Sequence, residues 1–184
     1  MSERSADGGA PRLRLIDCAA DAHAEPILAI LNEVIATSTA LFDYEPRSLE
    51  QVRRWFADKV ARFPVIGAVD EAGALLGFAS YGPFRGWPAY KYTVEHSVYV
   101  ARPHRGRGVG KELLRAVIDR AQHAQYHVLV AGIDGDNAAS IALHRKLGFA
   151  HAGTIRQAGF KFGRWLDLAF YQRVLPTPER PIDG

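Results

Sequence analysis

Along the chain the spacing of apolar residues switches between about two and about 3.6, and the switches mark out eleven segments. "RLRLID" (12–17) alternates polar and apolar positions and predicts a strand. Ile27, Ile30, Leu31, Val34 and Ile35 recur at helical spacing. Ser48 followed by Gln51 is a capping-box signal, and Leu49, Val52, Phe56 and Val60 then share one face of a second helix that stops before Pro64. "PVIGAV" and "ALLGFASYG", parted by "DEAG", predict a hairpin, and "YTVEHSVYVA" (92–101) a further strand. Val109, Leu113, Leu114, Val117, Ile118 and Ala121 form the stripe of a third helix. "HVLVAGI" (127–133) is a short apolar strand, and "NAASIALHRKLG" a helix ending at Gly148. Two strands close the series, around 151–158 and 164–174. The predicted order is βααβββαβαββ, a mixed α/β domain.

In "YTVEHSVYVA" the period of two puts Thr93, Glu95, Ser97 and Tyr99 on one face and Val94, His96, Val98 and Val100 on the other. The first face is polar enough to line a site; the second is apolar apart from His96.

At 184 residues the chain suits one domain of ordinary size. Hydrophobic residues at 48% and charged residues at 23% fit a folded, soluble protein. Residues 1–11 and the proline-rich 176–184 read as loose tails flanking a single domain over 12–175. No apolar run approaches a membrane helix and the start lacks a secretory pattern, so a cytoplasmic protein with no membrane association is expected. Cys18 is the only cysteine, which excludes an internal disulfide and a thiolate metal cluster; no metal is expected. A net charge of +3 mildly favours an anionic ligand but falls short of a nucleic-acid-binding composition.

The charge is concentrated in "RPHRGRGVGKELL" (102–114), between a strand and a helix. Glycine there permits positive φ and close approach, and the helix start adds partial positive charge. A turn over Arg105, Gly106, Arg107, Gly108, Val109 and Gly110 can therefore aim several backbone N–H groups at one phosphate or pyrophosphate. No Lys-Ser/Thr follows, as a P-loop needs, and the turn does not open an N-terminal parallel βαβ unit, as a dinucleotide fingerprint does. A basic surface turn whose glycines serve geometry alone is the other reading of these residues.

Arg105-x-x-Gly108-x-Gly110 after "SVYV", with "NAASIALHRKLGF" (137–149) downstream, resembles the GNAT superfamily of acetyl-CoA-dependent N-acetyltransferases, over residues 12–175. The resemblance implies a mostly antiparallel sheet of about seven strands with four helices, and two central strands splayed to hold acetyl-CoA. It places the pyrophosphate on residues 105–110 and the pantetheine arm on backbone groups of Val98 and Val100, with Asn137 and Ser140 facing that arm. His144 stands where the family usually has the tyrosine that protonates the leaving thiolate; a histidine that only packs or caps the pocket is the alternative.

"TSTALFDYEP" (37–46), "AYKYTVEHSVYV" (89–100) and "AGFKFGRWLDLAFYQ" (158–172) are further similar to the phosphinothricin and methionine sulfoximine/sulfone N-acetyltransferases. That group implies Glu95 as the base that deprotonates the acceptor amine, although the position alone reads as an ordinary exposed strand glutamate. Phe162 stands where the phosphinothricin enzymes tend to have histidine, which points to the methionine sulfoximine/sulfone branch. "YGPFRGWPAYKY" (81–92) is aromatic and carries Arg85 and Lys91, candidates for an α-carboxylate. Phe42, Arg85, Trp87, Tyr92, Ser97 and Tyr99 are the candidate acceptor-binding residues, and the aromatic loop also suits a homodimer surface. Acetylation of a protein N-terminus or lysine, and a non-catalytic acyl-CoA-binding module, are the competing functions.

Overall fold

A computed structural model describes residues 13–59 and 62–183, so the predicted N-terminal tail, Arg12 and Val60 lie outside the described residues. In order the elements are β1 (Arg14–Asp17), α1 (Ala20–Thr37), α2 (Leu49–Lys59), β2 (Val65–Val69), β3 (Leu75–Pro83), β4 (Thr93–Val100), α3 (Val109–His123), β5 (Val128–Asp134), α4 (Ala138–Lys146), β6 (Ala150–Lys161) and β7 (Arg164–Val174). This is the order the periodicity predicts. The strands form one seven-stranded sheet in the order β1-β2-β3-β4-β5-β7-β6. Every neighbouring pair is antiparallel except β4 and β5.

Both faces of the sheet are covered. The stripe Val109, Leu113, Leu114, Val117, Ile118 and Ala121 of α3 packs with Val94, Leu129 and Ala131, and Ile141 and Leu143 of α4 join that core. On the other face Ile27, Ile30 and Leu31 of α1 and Val52 of α2 pack around Phe78, with Tyr99 against them. The polar face of β4 is thus roofed by helices rather than open to water. The capping box is made as read: Ser48 N–H donates to Gln51 Oε1 at 2.7 Å and Gln51 N–H to Ser48 Oγ at 3.2 Å.

Two features depart from the expected pattern. β6 runs on to Lys161, and Phe162 and Gly163 both take positive φ, 51° and 74°, as a two-residue hairpin turn requires. The C-terminal segment is tied down as far as Ile182. Thr177 Oγ1 donates to the Tyr126 carbonyl, and the Ile182 N–H donates to Tyr92 Oη at 3.1 Å. Among the described residues no helix is long and apolar enough to cross a membrane.

Candidate active site

The site originates in the single parallel junction. β4 and β5 pair only at Thr93–Val128, Val94–Leu129 and Glu95–Val130. Beyond that point β4 stays bonded to β3 as far as Val100, and β5 stays bonded to β7 as far as Asp134. The two strands therefore part, and a cleft of about 840 Å³ opens between residues 96–100 and 131–134. It runs past Arg105, Gly106, Gly108 and Gly110 at one end and past Asn137, Ser140 and His144 along α4.

The glycine turn has the expected form. Gly106 and Gly108 hold φ of 75° and 86°, and Gly108 is the N-cap of α3, whose first amides have no carbonyl one turn back. Arg105 donates from Nε to the Val100 carbonyl at 2.9 Å and pairs with Glu33 of α1, which fixes the turn to the end of β4. Arg107 is exposed, Val109 is buried in the core and neither lines the cleft, while His104 and Lys111 stand on its wall.

Glu95 lies where the strands part. A β-carbon added to Gly132 of β5 would stand 3.1 Å from Glu95 Oε1, so the carboxylate occupies the space a side chain there would take. Burial raises the Glu95 pKa above the ordinary carboxylate range, and the nearby Arg85 guanidinium partly opposes that rise. On the opposite face of β4, His96 and His144 are buried with their Nε2 atoms 3.0 Å apart. His144 Nδ1 lies 2.7 Å from the Ser140 carbonyl, which can only accept, so Nδ1 carries the proton. In the neutral ring Nε2 is then a lone pair, and His96 donates to it. His96 Nδ1 is left buried without a partner.

Burial lowers both imidazoles, His96 to about 3 with His144 adding to the effect. His144 therefore stays neutral in the folded chain at pH values where a free histidine would take a proton. The unfolded histidine takes a proton below about pH 6.5 and native His96 does not until about 3, so stability declines as pH falls through that window. Melts between pH 7 and 4 are expected to lose on the order of a few kcal/mol from this pair. His96→Gln should remove most of that slope, and an unchanged slope would assign it elsewhere.

The remaining candidates divide. Ser97 and Tyr99 line the cleft. Asn137 does too, but its side-chain oxygen caps α4 by accepting from the Ser140 N–H at 3.1 Å, which leaves only its NH2 to face a ligand. Arg85 stacks on Phe84 with its guanidinium carbon 4.4 Å from the ring centroid and Trp87 is 70% exposed, and neither is among the residues that line the cleft. Phe42 rests against Gly159. Tyr92 is a correction: it sits at the closed end of β4, its hydroxyl is bonded to Ile182, and it does not line the cleft.

Thr39, Asp134, Phe162 and Arg164 complete the walls. Thr39 Oγ1 donates to the buried Asp134 carboxylate, which Arg164 approaches at 3.7 Å. Sequence reading passed over Asp134 and Arg164 because isolated charges in strands read as solvent positions. Among the described residues no group of three His, Cys, Asp or Glu is placed to hold a metal ion.

The model of the acetyltransferase (GNAT) family matches residues 27–149. An L-methionine sulfoximine/L-methionine sulfone acetyltransferase of Pseudomonas aeruginosa is 47% identical over 157 residues, 84% of this chain and 91% of that protein. A phosphinothricin N-acetyltransferase of Streptomyces coelicolor is 36% identical, over 82% of this chain and 90% of that protein. The crystal structure of a GNAT superfamily phosphinothricin acetyltransferase from Sinorhizobium meliloti, in complex with AcCoA, superposes with a TM-score of 0.88 at 36% identity, covering 94% of each chain. With a sheet that splits at its one parallel pair and a glycine turn at the head of α3, the chain belongs to the GNAT family of acetyltransferases.

Proposed function

We propose that the protein is an acetyl-CoA-dependent N-acetyltransferase acting on the α-amino group of a small amino-acid analogue: methionine sulfoximine, methionine sulfone or phosphinothricin. The observation that carries this reading is the cleft that opens just past the Glu95 rung, with His96 its first wall residue on β4, and ends at the positive-φ glycines. In it residues 105–110 would hold the pyrophosphate, and the free edges of Val98 and Val100 the pantetheine arm, with the thioester near the point where the strands part. These residues fit such a donor because unpaired strand edges and helix-start amides are the hydrogen-bond groups an extended, phosphorylated chain requires.

Glu95, directly or through water, takes the proton of the acceptor ammonium. The amine attacks the thioester carbonyl, and the backbone N–H near Val98 meets the oxyanion. Collapse breaks the carbon–sulfur bond and the nitrogen releases its second proton, while the thiolate departs on the side of β4 where His144 of α4 lies. His144 returns the proton, its Nδ1 standing 3.4 Å from the Ser140 hydroxyl. Because burial keeps the ring neutral, that transfer is a relay: the ring gives up its Nδ1 proton by way of the Ser140 hydroxyl and is refilled by the proton that the acylated nitrogen releases. Cys18 plays no part: burial, with Asp17 adding, pushes its thiol up to about 12, and it lies between β1 and α1, away from the cleft. Direct transfer in a ternary complex follows, without an acetyl-enzyme.

Arg85 opposes the rise of the Glu95 pKa, so Arg85→Gln should move the acid limb of kcat/KM to higher pH. A limb that stays or moves down would remove Arg85 from the electrostatics of the base. We also assign a homodimer, cytoplasmic and detoxifying, supported by the exposed apolar side chains Ile155, Phe160 and Trp165 of the β6–β7 hairpin and by Trp87. Light scattering at micromolar concentration gives the mass that decides it.

The test of the activity is release of coenzyme A thiol with each of the three amino-acid analogues, against an N-terminal peptide and a lysine peptide. Turnover of an analogue at kcat/KM at least 100-fold above the peptides supports the proposal. Preference for a peptide supports a protein acetyltransferase, and donor binding without turnover on any amine supports an acyl-CoA-binding module.

A further inference from the structure

Lys161 is the last residue of β6 and is only 4% exposed, an unusual place for an ammonium group. Its three N–H donors converge on three carbonyls: Ile35 at 2.8 Å in the last turn of α1, Ser38 at 3.0 Å just past its end, and Leu41 at 2.7 Å in the loop beyond. A helix C-terminus leaves such carbonyls unsatisfied and partly negative, so one cation at their focus replaces the water they would otherwise need. Lysine suits this task because its ammonium is a compact three-donor point, whereas the planar fork of arginine cannot meet three converging acceptors.

The loop so held is not remote from the cleft. Ser38, Thr39 and Ala40 lie between the Ile35 and Leu41 carbonyls and form one cleft wall. Phe162, next in sequence to Lys161 and at positive φ in the hairpin turn, lines the same cleft with Arg164. Tyr44 reinforces the clasp from the exposed side, donating from its hydroxyl to the Phe160 carbonyl at 2.6 Å.

We infer that Lys161 is a positioning residue for acceptor recognition: by clasping residues 35–41 to the β6–β7 turn it sets the distance between the wall at 38–40 and Phe162, and so the size of acceptor head group admitted. This rests on the cleft being the acceptor-binding site proposed above. No proton or bond changes at Lys161 itself, and the glycine turn at the other end of the cleft meets α1 at Glu33, ahead of the clasped residues 35–41.

The test is Lys161→Met, which keeps the aliphatic stem and removes the donors, with Tyr44→Phe as a second variant at a 69% exposed position. Hydrogen exchange of the amides of 38–44 should quicken in Lys161→Met whatever the enzyme acetylates. With methionine sulfone as probe, its KM should rise about tenfold or more in Lys161→Met and two- to fivefold in Tyr44→Phe. The KM for acetyl-CoA should stay within twofold, and the ratio of kcat/KM for phosphinothricin to that for methionine sulfone should change. Unaltered exchange at 38–44, or a fall in melting temperature with both KM values unmoved or moved together, overturns the inference. If Lys161→Met does not fold, Tyr44→Phe decides: an unchanged methionine sulfone KM overturns it. Faster exchange with no turnover of any amino acid by the parent enzyme would instead overturn the proposed activity and, with it, the acceptor role of the clasp.

Discussion

Replacing Glu95 by glutamine is expected to lower kcat by about 100- to 10,000-fold, the range over which a positioned general base contributes, while acetyl-CoA binds as before. Glutamine keeps the volume beside Gly132 and cannot take a proton. The loss is therefore not one of packing: the space that a β-carbon at Gly132 would take stays filled, with the amide where the carboxylate stands. The raised pKa makes Glu95 a stronger base than a surface carboxylate, and activity should fall as pH drops through that raised value because the protonated form cannot accept. Single-turnover rates at pH 7, with donor affinity from calorimetry, separate the two quantities. Turnover within threefold of the parent would mean that another group takes the proton.

The second large effect is expected at the glycine turn. Gly106 and Gly108 sit at φ of 75° and 86°, and a β-branched residue in that region costs about 1–2 kcal/mol each. Nothing lies within 4 Å of a β-carbon at either position, so the cost is conformational and not a clash. The double variant Gly106→Val with Gly108→Val should weaken acetyl-CoA binding on the order of 100-fold, through a turn that no longer presents its amides together. The fold should persist, since α3 is held by its apolar stripe and not by its cap. Unchanged donor affinity in a folded double variant would put the pyrophosphate elsewhere.

Much of this arrangement is legible in the sequence, for reasons tied to particular residues. The order of elements follows from apolar spacing because both faces of the sheet are buried, and the capping box at Ser48 and Gln51 is a local signal that tertiary context leaves alone. The split of β4 into a Glu95 face and a His96 face follows from its pleat. What alternation does not carry is which strand neighbours β4, so the cleft itself came from the family resemblance.

Other features are hidden for physical reasons. A phenylalanine at positive φ is costly, and nothing in "KFGR" announces Phe162 as a turn residue; the pairing of Lys161 with Arg164 across the turn imposes it. Lys161 and Asp134 read as solvent positions because a charge is expected to be exposed, and only the converging carbonyls and the Thr39 and Arg164 partners reverse that. Tyr92 reads as part of an aromatic loop until the C-terminal segment is seen to claim its hydroxyl. His144 has the identity expected of an acid, yet the Ser140 carbonyl one turn back holds its proton at Nδ1 and a buried partner 48 residues earlier in the chain occupies its Nε2.

The seam between β4 and β5 has a mechanical consequence. Seven strands divide into a block of four and a block of three that share only three rungs of backbone pairing, two of them ahead of Glu95. A donor lying along the free edges of both blocks would act as a splint, supplying the rungs the protein omits. The enzyme would then be stiffest when loaded, and the strand that carries Glu95 would be braced by the molecule about to be consumed.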